Sequence, residues 1–240
     1  MHLPRVDSTN NYLKYRLSNS EPLPEGTVIL ADEQYAGRGQ INNNWLSEPG
    51  KNLTFSILFT PSFIPPQQQF LLNKVISIGI NDALCKIIGD DLRIKWPNDI
   101  FMKNKKLGGV LIENIVQGSR WKYAIAGIGI NVNQAVFPET IQNVTSISQI
   151  LQRDYDLKTL LGDLCKAIEV RYLQLRSGKF DLLHQEYVEK LYRFGEDQLF
   201  RIEDKEISGK IMDVDEDGSL KIQFDNSIRK FGFKEIAFVI

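Results

Sequence analysis

Apolar periodicity changes character once along this chain, at Arg193, and that break limits the folds open to it. Before it, helical and strand patterns interleave. The strongest helical pattern follows Pro65-Pro66: Leu71, Leu72, Val75, Ile76, Ile80, Ala83, Leu84, Ile87 and Ile88 share one face until Gly89-Asp90-Asp91 ends it. Asp7-Ser8-Thr9 offers N-caps for an earlier helix bearing Leu13 and Leu17. Asp156 caps a later one bearing Leu157, Leu160, Leu161, Leu164, Ile168 and Leu175, and a shorter helix spans Phe180–Tyr192. Strand patterns fall at Thr27–Ala31, Leu53–Phe59, Leu92–Lys95, Ile100–Lys103, Val110–Val116 and Trp121–Val132, with turn chemistry at Asn104-Lys105 and Gln117–Arg120. Strands joined by hairpins and mixed with helices predict an α+β domain with a mixed or antiparallel sheet over residues 1–192. After Arg193 only short alternating runs remain: Leu199–Ile202, Glu206–Val214, Ser219–Phe224 and Ile228–Phe233, separated by Asp217-Gly218 and Asp225-Asn226 turns. Residues 193–240 therefore read as a small SH3-like β-barrel with Phe200, Phe224, Phe231, Phe233 and Phe238 in its core.

Charge narrows the function classes. The 240 residues carry 29 Lys+Arg against 30 Asp+Glu, a net charge of −1, which argues against bulk electrostatic binding to nucleic acid. Two cysteines, Cys85 and Cys165, sit inside apolar helical patterns and read as reduced core thiols. His2 and His184 lie far apart and far from either cysteine, leaving little material for a zinc site. No apolar run approaches membrane length and the N-terminus lacks a secretory h-region, so a cytoplasmic protein is expected.

Four stretches break these patterns in ways that suit chemistry. Gly37-Arg38-Gly39-Gln40 lets backbone N–H groups approach an anion beside a guanidinium, in a polar loop that ends at Trp45. A solvated loop is the bland alternative, and Trp45 either tacks it to the core or stacks on a flat ligand. Lys95-Trp96-Pro97-Asn98-Asp99 projects a cation, an amide and a carboxylate from one turn between strands; otherwise Asn98 and Asp99 bond the local backbone. Lys106 precedes Leu107-Gly108-Gly109 where a strand enters the sheet. Gly127 and Gly129 strip side chains from one face of a later strand, so a ligand or another backbone is expected there.

In this order, Gly37–Trp45, Lys95–Asp99, Lys106–Glu113 and Gly127–Asn131 resemble the GRGR-x4-W, KWPND, K-x-x-G-x-L-x-E and G-x-G-x-N motifs of the biotin protein ligase family, and Ser8-Thr9-Asn10 matches its STN. The resemblance runs from Val6 to the last barrel strand. It implies a catalytic α+β domain followed by an SH3-like domain, in a monofunctional form without a DNA-binding helix-turn-helix. It implies ATP-dependent formation of biotinyl-adenylate, then transfer of biotin to one lysine of a biotin carboxyl carrier protein, with no DNA or membrane partner; a homodimer is compatible with this reading. Lys106, Arg38, Lys95 and Asp99 become the catalytic set, with Asp99 the candidate Mg²⁺ ligand or proton acceptor. Biotin would be held by Ser8, Thr9, Asn10, Gln34, Gly37, Arg38, Gly39, Gln40, Lys106, Gly109, Gly127 and Ile130. ATP would be held by Arg38, Gln40, Trp45, Lys95, Asn98, Asp99, Lys106 and Asn131, with Trp45 stacking on or closing over the adenylate when its loop orders.

The chain departs from the family at Gln40, where GRGR has a second arginine, and again at Asn42, Asn43 and Asn44, where relatives often carry cations. Weaker retention of the adenylate is the expected consequence. The alternatives are a lipoate–protein ligase-like acyl-adenylate ligase, whose Gly-Gly-Gly phosphate loop is missing here, and a non-enzymatic binding protein.

Overall fold

β-branched and aromatic runs bounded by turns become strands here, and their pairing decides where the helices can lie. A computed structural model describes residues 1–19, 22–40, 43–118, 120–225 and 227–239. Ile41 and Asn42 of the glycine–arginine loop and Asn226 of the second hairpin turn lie outside the described residues. The first sheet contains β1 (His2–Val6), β2 (Val28–Gln34), β3 (Leu53–Phe59), β4 (Leu92–Lys95), β5 (Asp99–Met102), β6 (Lys105–Gln117) and β7 (Arg120–Ile130), in the order β1-β2-β3-β7-β6-β5-β4. β1 runs parallel to β2 and the other neighbours are antiparallel. The sheet is thus mixed, as expected for an α+β fold.

All of β3 is buried because helices cover both faces. α2 (Phe70–Ile88), α4 (Leu157–Arg176) and α5 (Phe180–Glu189) pack over one face, while α3 (Ile147–Leu151) flanks α2. Asp156 caps α4 as expected, accepting the Thr159 N–H at 2.7 Å. Among the described residues α1 (Thr9–Asn19) is the helix on the other face, where Leu13 meets Ile29, Leu58 and Ile125 in a small apolar cluster. By strand alternation, Ser56 of β3 and Gly127 and Gly129 of β7 continue that face past the end of the cluster. Small and polar side chains replace apolar ones there, and the surface recedes into a cleft.

The chain then forms an antiparallel sheet from β8 (Asp197–Ile202), β9 (Lys205–Val214), β10 (Leu220–Phe224), β11 (Ser227–Phe231) and β12 (Ala237–Phe238), ordered β11-β10-β9-β8-β12. It is consistent with an SH3-like unit, but among the described residues it is an open sheet rather than a closed barrel. Phe200, Phe224 and Phe231 are buried within it. Phe233 corrects the expected core: it is 46% exposed, because it leaves the sheet after β11 and packs on Trp96, ring centroids 5.2 Å apart. Trp96 is buried, and its Nε1–H donates to Gly218 O at 2.9 Å. This tryptophan joins the two sheets and is not part of the cleft. Both cysteines are free and partly buried, with their thiol pKa values raised by burial. Among the described residues no helix is long and apolar enough to cross a membrane.

Candidate active site

The cleft is a cavity of about 190 Å³ where the glycine-bearing end of β7, the middle of β6, the N-terminus of α1 and the loop before Trp45 meet. At one end the chain's short polar side chains form a connected network. Thr9 N–H donates to Gln34 Oε1 at 2.8 Å, and Ser56 Oγ donates to Asn10 Oδ1 at 2.6 Å and lies within hydrogen-bond distance of Thr9 Oγ1 at 2.7 Å. Asn10 Nδ2 donates to Glu113 Oε2 at 2.8 Å. Ser8, Thr9 and Asn10 are buried yet line the cavity, so this end presents fixed donors and acceptors and no net charge of its own.

The other end is charged. Lys106 Nζ lies 2.6 Å from Asp99 Oδ1. The Lys106 main chain is pinned between Asn143 and Thr145: its N–H donates to Asn143 O at 2.6 Å, and its carbonyl accepts the Thr145 N–H at 2.9 Å. Gly109 stands beside this pair, where a Cβ would lie 3.0 Å from Asp99 Oδ1. Asn98 is buried and donates through Nδ2 to Val110 O, while its own carbonyl accepts the Val110 N–H at 3.1 Å. It caps the outer edge of β6 where β5 stops pairing, the local bonding that the bland reading of this turn allows.

The loop over the cleft folds back on itself. Gly39 N–H donates to Asn43 O at 2.6 Å and Trp45 N–H to Gly37 O at 2.9 Å. Arg38 reaches Glu113, Nη2 to Oε2 at 2.5 Å, and Lys14 meets the other oxygen of the same carboxylate at 2.5 Å. Burial alone raises the Glu113 pKa, but Lys14, Asn10 and Arg38 together bring it below the usual carboxylate value. A Cβ on Gly129 would strike the Trp45 indole, and one on Gly127 would strike Asn10. The bare glycine face therefore meets two side chains, not another backbone. The Trp45 Nε1–H is buried with no hydrogen-bond partner among the described residues, a donor left open within a polar cavity.

Ser8, Thr9, Asn10, Gln34, Arg38, Gly39, Gln40, Trp45, Asn98, Asp99, Lys106, Gly109 and Gly127 all line this cavity. Four expected residues do not. Gly37 lies under the loop, where a Cβ would strike the Trp45 carbonyl and press on the Gln34 side chain. Ile130 is fully buried in the apolar layer beneath the helices, the face opposite to Gly127 and Gly129. Asn131 spends its carboxamide on Thr145 O at 3.1 Å and so supports the segment that clamps Lys106. Lys95, opposite Asp99 in the β4–β5 register, places Nζ 4.9 Å from the Phe101 ring centroid and 5.2 Å from that of Phe238. Burial lowers its pKa, while Asp99 opposes that and Lys106 adds to it, so it acts on the pair from behind.

The cleft also uses residues that sequence reasoning left out. Ser56 and Lys14 carried no signal, whereas Glu113 stands at the last position of the third motif, and the alternation Gly109, Leu111, Glu113 places it on the cleft side. As for metals, no group of at least three His, Cys, Asp or Glu is arranged around an ion among the described residues. Asp99 fits Mg²⁺ only as a single protein ligand, with nucleotide phosphates supplying the others.

Comparison with known proteins agrees with this geometry. The Biotin/lipoate A/B protein ligase family profile matches residues 2–131. Bifunctional ligase/repressor BirA of Escherichia coli is 32% identical over 244 residues, covering 98% of this chain and 72% of the relative. Biotin--[acetyl-CoA-carboxylase] ligase of Paracoccus denitrificans is 27% identical over 227 residues, covering 91% of each chain. Among solved structures, biotin protein ligase from Aquifex aeolicus in complex with biotin and ATP superposes with a TM-score of 0.81 at 31% identity, covering 100% of this chain and 97% of that one. The profile spans more than half of the 240 residues, and both the cleft and the full-length likeness agree with it: the chain belongs to the biotin/lipoate A/B protein ligase family.

Proposed function

We infer that this cleft activates biotin with ATP and transfers it to a lysine of a biotin carboxyl carrier domain in a biotin-dependent carboxylase, in the cytoplasm. The observation that carries the reading is one cavity with an uncharged hydrogen-bonding end, suited to a ureido ring, and a Lys106–Asp99 end suited to phosphate and amine chemistry. In the first step a biotin carboxylate oxygen attacks the α-phosphorus of ATP and pyrophosphate leaves. Two anions must meet, and Lys106 is the preorganised donor that lies between them. Ser8, Thr9, Asn10 and Gln34 hold the ring; Trp45 covers the product. Bound Mg²⁺ would offset phosphate charge beside Asp99. In the second step the acceptor amine attacks the acyl carbon, the C–O bond to AMP breaks, and Asp99 takes the amine's proton. The chain divides by function into a ligase domain, residues 1–192, and an SH3-like domain, 193–240. The test is ATP–pyrophosphate exchange: biotin should stimulate it and lipoate should not, and exchange indifferent to biotin overturns the reading.

Retention of the intermediate depends on charge near the phosphate. Lys106 and Arg38 are the cations that line the cavity among the described residues, and Arg38 is already paired with Glu113. Lys95 sits behind the pair and Gln40 is neutral, so nothing replaces the family's second arginine. A charge-assisted hydrogen bond contributes about 1.5–3 kcal/mol. Gln40→Arg should therefore slow release of biotinyl-adenylate about tenfold or more and reduce labelling of a bystander protein. Equal release rates from wild type and variant would show that the charge is supplied elsewhere.

A further inference from the structure

A second groove, of about 140 Å³, adjoins the cleft and shares Gln40 and Val110 with it. Its apolar wall comes from both sheets' layers: Phe70 and Ile112 from the ligase side, Phe233 from the C-terminal side. Among its described lining residues the one charged group is Asp217. This carboxylate stands on an anchored turn. Gly218 has φ +94° and is packed so closely that a Cβ would strike the Phe70 ring. Its carbonyl accepts the Trp96 Nε1–H at 2.9 Å, and Asp217 Oδ1 accepts the Ser219 N–H at 2.9 Å. Trp96 belongs to the same turn that carries Asn98 and Asp99, so a single contact sets the position of Asp217 relative to the catalytic end of the cleft.

We propose that this groove admits the acceptor lysine of the carrier and that Asp217 is the positioning residue that draws its ammonium toward the adenylate. The proposal rests on the ligase reading above. A lysine side chain is an apolar stem ending in a cation, and the groove offers apolar walls, a lone carboxylate and a border at Gln40 and Val110 shared with the cleft. Asp217 attracts the protonated side chain; the ammonium loses one proton to solvent to become the attacking amine, and Asp99, further in, takes the second as the amide forms and AMP leaves. The C-terminal sheet thereby contributes to the second half-reaction only.

Steady-state transfer to an apo carrier domain tests this with Asp217→Asn and Asp217→Glu. Asparagine can still accept the Ser219 N–H, so the turn is kept. Asp217→Asn should raise the carrier KM about tenfold, the loss of one charge-assisted hydrogen bond. Pyrophosphate exchange and the KM for biotin and ATP should stay within about twofold, and Asp217→Glu should restore most of the carrier KM. Hydroxylamine, an uncharged acceptor at neutral pH, should capture the adenylate equally from wild type and Asp217→Asn. Normal exchange with an unchanged carrier KM, or an equal loss with hydroxylamine, overturns the role of Asp217. Absence of biotin-dependent exchange in the wild type overturns instead the ligase reading on which it rests.

Discussion

Lys106→Ala should remove biotin-dependent pyrophosphate exchange by a hundredfold or more while leaving the protein folded. The side chain lines the cleft and its ammonium is already oriented by Asp99 at 2.6 Å, so no reorganisation is needed when negative charge develops between carboxylate and phosphate. Removing one such preorganised donor typically costs about 10²–10³ in rate. The fold should survive because the contacts that hold this strand entrance are main-chain ones, to Asn143 and Thr145. Exchange assays alongside far-UV circular dichroism separate the two effects. Near wild-type exchange in the folded variant would place Lys106 outside the chemistry.

Lys74→Met should stabilise the protein at pH 7 by up to about 3 kcal/mol, a gain that fades as pH rises. Lys74 lies on α2 with 1% of its surface exposed. Its Nζ donates to His184 Nδ1 at 2.8 Å, and His184 Nε2 contacts Asp213 Oδ1 at 2.9 Å, with the Phe70 and Tyr187 rings beside the ammonium. Burial pushes its pKa down from 10.5 to about 8, against the attraction of Asp213, Glu216 and Asp215 and with the repulsion of Lys221. Each unit is about 1.4 kcal/mol, which sets the size of the effect. The native pKa is the lower one, so between about 8 and 10.5 the unfolded chain binds more protons and wild-type stability rises with pH. Below about 8 the lysine is charged in both states and the whole penalty is present. Methionine fills similar volume without the charge. Urea denaturation of both proteins from pH 7 to 10.5 should show the two converging. Destabilisation by methionine at pH 7 with a pH-independent gap would mean that the Lys74–His184–Asp213 chain binds helices α2 and α5 to the C-terminal sheet more strongly than burial opposes it.

Local chemistry was readable where neighbours in sequence are also neighbours in space. β3 and β4 run as their apolar patterns predict, and the Asp156 cap is where the helix period begins. β1 carries no strand signal in its sequence, because HLPRV contains a proline and two charged or polar residues and keeps only partial burial. It is a strand because β2, twenty-odd residues away, offers a parallel edge. The motifs located the cleft, since glycine, a strand entrance and a cation close in sequence stay close once folded. They did not tell which side of the sheet each residue faces. Ile130 and Lys95 belong to motifs yet turn away from the cavity, and Trp96 ties the sheets together through Gly218 instead of meeting a ligand. Glu113 draws Arg38, Lys14 and Asn10 to one carboxylate across separations of 75 to 103 residues. The sequence by itself determined the periods, turns, caps and chemical inventory of this protein, because these depend on interactions within a few residues. Tertiary structure alone decided strand register, the face each side chain takes and the partner each charge finds, because those depend on pairings between segments remote along the chain.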